Sequence, residues 1–399
     1  MTKLETLIRK LCSDGVVFVK LGDVLGYEQP TKYIVKCKEY QDRGLPVLTA
    51  GQTFILGYTD EQDGIFEASK ENPVVIFDDF TTSFHWVDFN FKVKSSAMKM
   101  LRVQSKKEVS FRFVYYAMKC IKYQTLEHSR QWISKYSQIE IPLPPIEVQN
   151  EIVRILDKFT ELEAELEAEL DCRKRQYEYY RDKLLSFENV GGQDVEWKKM
   201  SEVIYSINTG LNPRRFFRLN TIDAHNYYVT IKEMKNGNIV FNDDTDMIND
   251  DALKLCNNRS HLEKGDLIFS GTGTIGQIVV LKETPTNWNI KEGLYSLKPI
   301  KEKIDSKYMA YILNETSIRK TYMKKALGGT VKSVPMKVLT NIKIPIPPLA
   351  EQERIVSILD RFESLTTSLT AGLPAEIAAR RQQYEHYRDK LLTFKRKSA

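Results

Sequence analysis

Residues 141–159 read IPLPPIEVQNEIVRILDKF, and 203 positions later the chain reads IPIPPLAEQERIVSILDRF at 344–362. A repeat at this period settles the architecture before any single residue does, because it means that one supersecondary unit is used twice. In each copy an extended apolar strand end (Ile139 and Ile141; Ile342 and Ile344) runs into a Pro-Pro pair. Proline fixes φ and donates no backbone hydrogen bond, so Pro145 and Pro348 suit the opening position of a helix. Beyond Pro145 the apolar residues fall at Ile152, Ile155, Phe159, Leu162, Leu166 and Leu170, then Tyr177, Tyr180, Leu184 and Phe187. Those spacings are built from threes and fours. Sustained over about 40 residues, they predict a coiled-coil seam on a helix about 60 Å long.

The second copy continues with Ile355, Ile358, Phe362, Leu365, Leu369, Leu373 and Ile377, then Tyr384, Tyr387, Leu391 and Phe394. The tails agree closely, QYEYYRDKLLSF at 176–187 against QYEHYRDKLLTF at 383–394, but the offset has grown to 207. The extra residues fall where TELEAELEAELD faces SLTTSLTAGLPAEI, and an insertion of four is a stutter that keeps the apolar face nearly in register. The first helix is expected to run unbroken. Gly372 and Pro374 are expected to kink or interrupt the second.

Upstream of each helix lies a second echo, VVFVKLGDV at 16–24 and VEWKKMSEV at 195–203, and the opening LETLIRKLC resembles a shortened YRDKLL tail. The chain is therefore expected to be circularly symmetric: a helix in 1–15, a block in 16–143, a spacer helix in 144–190, a second block in 191–346 and a second spacer helix in 347–399. Between their shared ends the blocks diverge. The first carries GLPVLTAGQTFILGYTD and VVIFDDF; the second carries YYVTIKEMKNGNIVF and GDLIFSGTGTIGQIVVL. Short β-rich runs punctuated by Gly, Asn and Asp predict compact mixed α/β units.

A chain of 399 residues is long enough for two or three domains, and 42% hydrophobic with 28% charged residues is ordinary globular composition. Neither a signal peptide nor an apolar run of about 18 residues is evident, which predicts a cytoplasmic protein. Five scattered cysteines without a CxxC pair predict reduced thiols and neither a disulfide framework nor a zinc site. A net charge of +6 permits a polyanionic partner without demanding one.

The IPxPP junction leading into a helix that ends QYEYYRDKLL, used twice around two dissimilar blocks, resembles the specificity subunit of type I restriction–modification enzymes. The likeness covers nearly the whole chain and is most specific in the helical units. It implies an α+β fold with two mixed α/β target-recognition domains at opposite ends of a pair of long antiparallel coiled-coil helices, in a pseudo-two-fold circular repeat. It also implies that each domain reads one half of a bipartite, asymmetric double-stranded DNA site. The helices would set the spacer and dock two methyltransferase (modification) subunits, and restriction/translocase subunits would join. The ELEA tetrads at 161–168 look like the short spacer repeats of one branch of that family. One departure is Val148, where the other copy has Glu351, with an expected effect confined to helix capping or docking. Antiparallel helices would match half-sites on one face of the duplex about one turn, roughly 34 Å, apart.

Candidate chemistry elsewhere is thin. Gly271-Thr272-Gly273-Thr274-Ile275-Gly276 matches GxGxxG, but QIVVL continues as β where a dinucleotide site needs a helix. It reads as a tight hairpin turn, or as one whose amides and hydroxyls, Thr272 and Thr274 among them, touch DNA phosphate. Asp223 with Glu233 and Lys235 imitates a nuclease arrangement, yet IKEMK reads as an ordinary strand and turn. No GxxxxGK[ST] is present, Asn72-Pro73-Val74 is not a methyltransferase NPP motif, and the five histidines stand alone, His386 on a helix surface or interface. Catalysis is therefore expected to come from elsewhere, with no metal or cofactor in this chain, and the resemblance implies that S-adenosylmethionine, ATP and Mg²⁺ belong to partner subunits.

Two basic runs suit phosphate: Lys92, Lys94, Lys99, Arg102, Lys106 and Lys107 in the first block, and Arg214, Arg215 and Arg218 around Phe216 and Phe217 in the second. Each is equally readable as a solvated face. Lys232, Lys235 and Lys332 complete the set, with Gln52, beside Thr53, and Arg214 as candidate base readers. Leu162, Leu166 and Leu170 against Leu365, Leu369 and Leu373 are expected to fill the seam. Tyr177, Tyr180, Tyr384 and Tyr387 belong either to a subunit interface or to the core. Two other classes remain: a self-contained DNA methyltransferase or nuclease, against which the missing motifs speak, and a non-DNA coiled-coil adaptor.

Overall fold

The computed structural model describes residues 2–51, 53–104, 108–123, 129–187, 195–329, 331–367 and 372–397. The chain forms two compact units, Met1–Glu165 with Ala378–Ala399, and Leu166–Ile377. The central helix Ile146–Ser186 runs 41 residues without a break, as its uninterrupted Glu/Leu/Ala pattern predicts. The second spacer helix is divided into Leu349–Thr367 and Leu373–Leu391. Gly372 sits between them at φ +88°, and a Cβ there would lie 2.8 Å from the Leu365 carbonyl oxygen. Glycine alone fits that helix end.

The first unit opens with a helix, Lys3–Leu11, started by a capping box in which Thr2 and Glu5 each accept the other's backbone amide (3.2 and 2.7 Å). Its head comprises β1 (Val17–Lys20), β2 (Leu25–Glu28), β3 (Leu45–Leu48), β4 (Ile55–Thr59), β5 (Val74–Asp78), β6 (Phe84–Val87), β7 (Lys92–Val93), β8 (Met98–Val103) and β9 (Glu140–Leu143). β1 and β9 pair antiparallel and close the base of the head. A four-stranded sheet runs β2-β8-β5-β6, all antiparallel, and a three-stranded one runs β4-β3-β7, in which β3 and β7 are parallel. Val74, Val75, Ile76 and Phe77 of β5 are all fully buried, which accounts for a strand apolar on both faces.

The second unit carries β10 (Glu196–Lys199), β11 (Ile204–Thr209), β12 (Asn226–Val229), β13 (Met234–Lys235), β14 (Asn238–Ile239), β15 (Met247–Ile248), β16 (Leu267–Ser270), β17 (Ile278–Val280), β18 (Trp288–Ile290), β19 (Leu294–Pro299) and β20 (Lys343–Ile346). β10 pairs with β20; one sheet runs β11-β19-β16-β17 and another β15-β12-β18, with β12 and β18 parallel. Strand by strand this is the order of the first head. Blocks that share no readable sequence between their ends therefore share a scaffold, because a buried strand needs only apolar residues of suitable size and many sequences supply them.

The same latch fastens each head to its helix. The Gln149 side-chain amide donates to the Pro144 carbonyl (2.7 Å) and its oxygen accepts from the Ser110 amide (2.9 Å). Gln352 does the same to Pro347 (2.8 Å) and Asp305 (2.8 Å). Two turns further on, Asp157 accepts from the Tyr116 hydroxyl and Arg112 (2.5 and 2.8 Å), while Asp360 accepts from Tyr311 and Lys307 (2.6 and 2.5 Å). In the first unit the C-terminal segment adjoins the start of the head: Val16 donates to Lys395 O and Lys397 to Val16 O, both at 2.9 Å. Hydrogen bonds here stand where chain continuity joins the central helix to the second head.

Within each unit the helix pair runs antiparallel. In the first, Phe159 stacks on Tyr387 with centroids 5.6 Å apart, and Glu163 accepts from Arg381 at 2.5 Å. In the second, Tyr180 stacks on Phe362 at 5.7 Å, while Leu185 shares a core with Ile355 and Leu359.

The leucine seam needs correction. Leu162, Leu166, Leu170 and Leu373 are half-buried, Leu365 is 54% exposed, and Leu369 lies outside the described residues. Full burial falls instead on Ile152, Leu156, Ile355 and Leu359, where a head closes over the helices. A pair of helices shields a leucine on one side only; a third packed element completes the enclosure.

Candidate nucleic-acid interface

Backbone hydrogen bonds at matching registers bring the same loops together in each head. The Asp79 amide donates to the Ala97 carbonyl (3.0 Å) and the Gln131 amide to Asp79 O (2.8 Å). Correspondingly, Gly271 donates to Gly293 O (2.8 Å) and Val334 to Gly271 O (2.8 Å). The β5–β6 and β16–β17 hairpin turns are thus tied to the loops that follow β7 and β18, and to the segments that end at Gln131 and Val334.

In the second unit these loops enclose a cleft of about 310 Å³ bordered by Thr230, Lys232, Asp244, Asp246, Thr272 and Lys291. Thr272 contacts the Ser333 hydroxyl (3.1 Å) and the Gly273 amide donates to Lys332 O (3.0 Å), so the turn and the Lys332 segment form one rim. Thr274 and Lys332 are exposed there. Leu211 bridges to Lys291, and Asn212 donates to Glu292 at 2.7 Å, which brings the segment with exposed Arg215 and Arg218 alongside. Arg214 lies on the short helix Pro213–Phe216, and its side chain is outside the described set. A cleft of mixed sign suits base edges, because carboxylates accept from cytosine N4 while Lys232 and the hydroxyls take the acceptors of guanine and adenine.

The glycine-rich stretch is a β-hairpin turn, with Gly273 and Gly276 at φ +78° and +89°. Glu233, buried, accepts from the Thr230 amide (2.8 Å) and both threonine hydroxyls of its pocket, Thr230 (2.7 Å) and Thr245 (3.4 Å). It is a structural lock for the loop after β12, and the likeness to a nuclease ends there. Lys235 is exposed on the β13–β14 hairpin, whose tip borders a different hollow with Tyr177, Lys307 and Asp360, so it does not join the cleft. Among the described residues no group of three metal-ligating side chains occurs.

In the first unit the loop after β3 is pinned to the β5–β6 hairpin: Ser83 donates to Ala50 O at 2.6 Å, and the His85 ring lies 2.9 Å from Gly51 O. Burial pushes the His85 imidazole below its usual pKa, so it acts as a neutral donor. Thr53 is exposed on this loop and Gln52 lies outside the described residues. Two members of the basic run are corrected. Lys92 is 1% exposed, 2.9 Å from Glu61 and donating to Asp63 O at 2.5 Å. Lys99 is 0% exposed, 3.5 Å from Asp79 and above the Tyr27 ring. Both neutralise carboxylates brought in from distant sequence and are out of reach of phosphate. Arg102, half-buried, lies over Phe66 and donates to Glu67 O (3.3 Å), whereas Lys94 is exposed.

The tyrosines divide into two kinds. Tyr177 and Tyr384 are half-buried under Arg181 and Arg388 (5.8 and 5.7 Å), and burial pushes the Tyr384 hydroxyl up to about 12. Tyr180 and Tyr387 keep one face outward while the other stacks on a phenylalanine. Sequence reasoning passed over Gln149, Gln352, Asp157 and Asp360, although the glutamine and the aspartate stand in both copies of the repeat. It also passed over Lys291, which no motif marks.

Comparison with known proteins points one way. A family model described as the type I restriction modification DNA specificity domain matches residues 13–171 and 193–379. The chain is 41% identical to the EcoR124I/EcoR124II specificity subunit of Escherichia coli, covering 99% of this chain and 98% of that one. It is 31% identical to a putative type I restriction enzyme specificity subunit of Haemophilus influenzae, covering 99% and 100%. Its fold is similar to that of the S subunit of a type I restriction–modification system from M. genitalium, with a TM-score of 0.52 at 16% identity over 95% of this chain and 96% of that one. A chain from a structure on assembly and conformational transition of the type I system gives a TM-score of 0.58 at 16% identity, covering 95% and 97%.

Proposed function

The chain belongs to the type I restriction–modification specificity subunits, and from that premise we propose that each of its heads reads one half of a bipartite, asymmetric DNA site. As a specificity subunit it recognises DNA sequence, and catalysis falls to partner subunits. The observation that carries the half-site reading is that two heads share strand order and loop-fastening hydrogen bonds but not the loops themselves. One scaffold displaying two unlike loop sets is suited to presenting two unlike base-reading surfaces.

In the second head the readers are the cleft loops with Lys232, Thr272, Thr274 and Lys332, joined by Arg214, Arg215 and Arg218. In the first they are Thr53 and Gln52 with the β5–β6 turn, and Lys94 contacts the backbone. The paired helices set the gap and dock two methyltransferase subunits, with Tyr180 and Tyr387 offering outward aromatic faces. Restriction/translocase subunits complete the complex. S-adenosylmethionine, ATP and Mg²⁺ act on those partners, in the cytoplasm; no helix among the described residues is long and apolar enough to cross a membrane.

Co-expression with the modification subunit, followed by sequencing of modified bases, tests this directly. A two-part motif with an unread gap is expected. Deleting one ELEA tetrad shortens the central helix by about 6 Å and should alter the gap while both halves stay the same. A continuous motif, or a gap insensitive to the deletion, would count against the reading.

A further inference from the structure

The loops of the two heads differ in sequence and length, yet an exposed lysine recurs at the same place in both. Lys94 follows β7 and Lys291 follows β18, the strands that run parallel to β3 and β12. The last registered partners are Leu48 with Val93 and Val229 with Ile290. One residue on, the Lys94 amide donates to Leu48 O (3.0 Å) and the Lys291 amide to Val229 O (2.9 Å). The adjacent strand continues in each head with a threonine, Thr49 or Thr230, at the root of the loop proposed to read bases. Both lysine side chains are exposed, and among the described residues neither forms an ion pair, in contrast to Lys92.

Resting on the half-site reading, we propose that Lys94 and Lys291 are matched phosphate contacts, one per head, that seat each head on the duplex backbone beside its reading loops. The argument is one of symmetry. Phosphates present the same charge and spacing to any reader, whereas base edges change with sequence. A contact that positions should therefore survive in both heads, and a contact that specifies should not. Lysine fits the first role, since its flexible stem delivers a point charge without the planar fork that bidentate base reading uses. The loops after the two lysines differ in length and composition, Lys94-Ser95-Ser96-Ala97 against Lys291-Glu292-Gly293, so the cation is retained where its surroundings are not.

The test uses the full complex with modification subunits and Lys94→Ala, Lys291→Ala, the double variant and the two Lys→Arg variants. Binding is measured against salt on two duplexes, one carrying the modified motif and one of unrelated sequence. Each single Ala variant is expected to reduce the slope of log K against log salt by about 0.9 and the double variant by about 1.8, on both duplexes. Arginine should restore the slope, and the modified motif should be unchanged throughout. An unaltered slope, an effect from one lysine only, or a changed base in the motif would overturn the proposal. If the wild-type complex yields no two-part motif, the half-site reading fails, while the slopes on unrelated DNA still decide whether these lysines meet phosphate.

Discussion

The first head spans β4 to β5 with a loop, 60–73, whereas the second fills the corresponding connection, β15 to β16, with the helix Asp250–Ser260 and adds the β13–β14 hairpin before β15. Around those differences the paired strands, the glutamine latch, the Tyr–Asp contact and the hairpin ties are the same. The contrast separates two jobs. What holds a head to the helices is duplicated, and what faces a ligand is free to vary.

The largest test of that equivalence is a cavity on each side. Leu156 and Leu359 are both fully buried where head meets helix, so Leu156→Ala and Leu359→Ala should each cost about 2–5 kcal/mol in the unit that carries them. Denaturant melts followed by a probe in each head would show it, and a strongly unequal pair of costs would break the comparison. Next come Gln149→Ala and Gln352→Ala, which strand a buried carbonyl and an amide at the neck of each head. About 1–3 kcal/mol is expected for each, with faster hydrogen exchange at Ser110 or Asp305.

A pH asymmetry sharpens the comparison. Glu151 accepts from Arg154 (2.6 Å) and also meets Lys3 (2.9 Å), and these two cations outweigh the opposing effect of burial and hold its carboxyl at about 2 against an ordinary 4.5. At the equivalent point of the repeat the second unit has Arg354, which pairs with Glu351 (2.7 Å) and holds that carboxyl down as well, without a second cation such as Lys3 among the described residues, so the units differ in degree. A carboxyl with a depressed folded pKa contributes stability above its unfolded value and loses it as pH falls through the folded one. The first unit should therefore weaken between pH 4.5 and about 2, and Glu151→Gln should flatten that decline, as acid titration followed by circular dichroism would reveal. Least of all, Leu365→Ala should change stability by no more than about 0.5 kcal/mol, since its side chain is largely solvated. A larger thermal shift would restore it to the seam.

Much of the frame was legible because helices announce themselves through spacing and a repeat doubles the signal. Gln149 and Gln352 were on view in both copies and needed only the question of why a polar residue follows Pro-Pro twice. The interior of the heads was not legible. Strands such as β5 and β16 are satisfied by any apolar run, so VVIFD and LIFS carry no mark of equivalence until their hydrogen bonds are seen. Charge density misled for a related reason: Lys92 and Lys99 find Glu61 and Asp79 across the fold, and local sequence contains no trace of those partners. Leucine spacing likewise reports a helix face but not whether a third element covers it.

The central claim, that two heads on one scaffold read two separate half-sites, is tested most directly by replacing the 271–274 turn and the 331–333 segment together. Modified bases would then be sequenced in cells that also express the modification subunit. A motif altered in one half, with the other half and the gap intact, is the predicted result; a change in both halves, or no change in either, would contradict it.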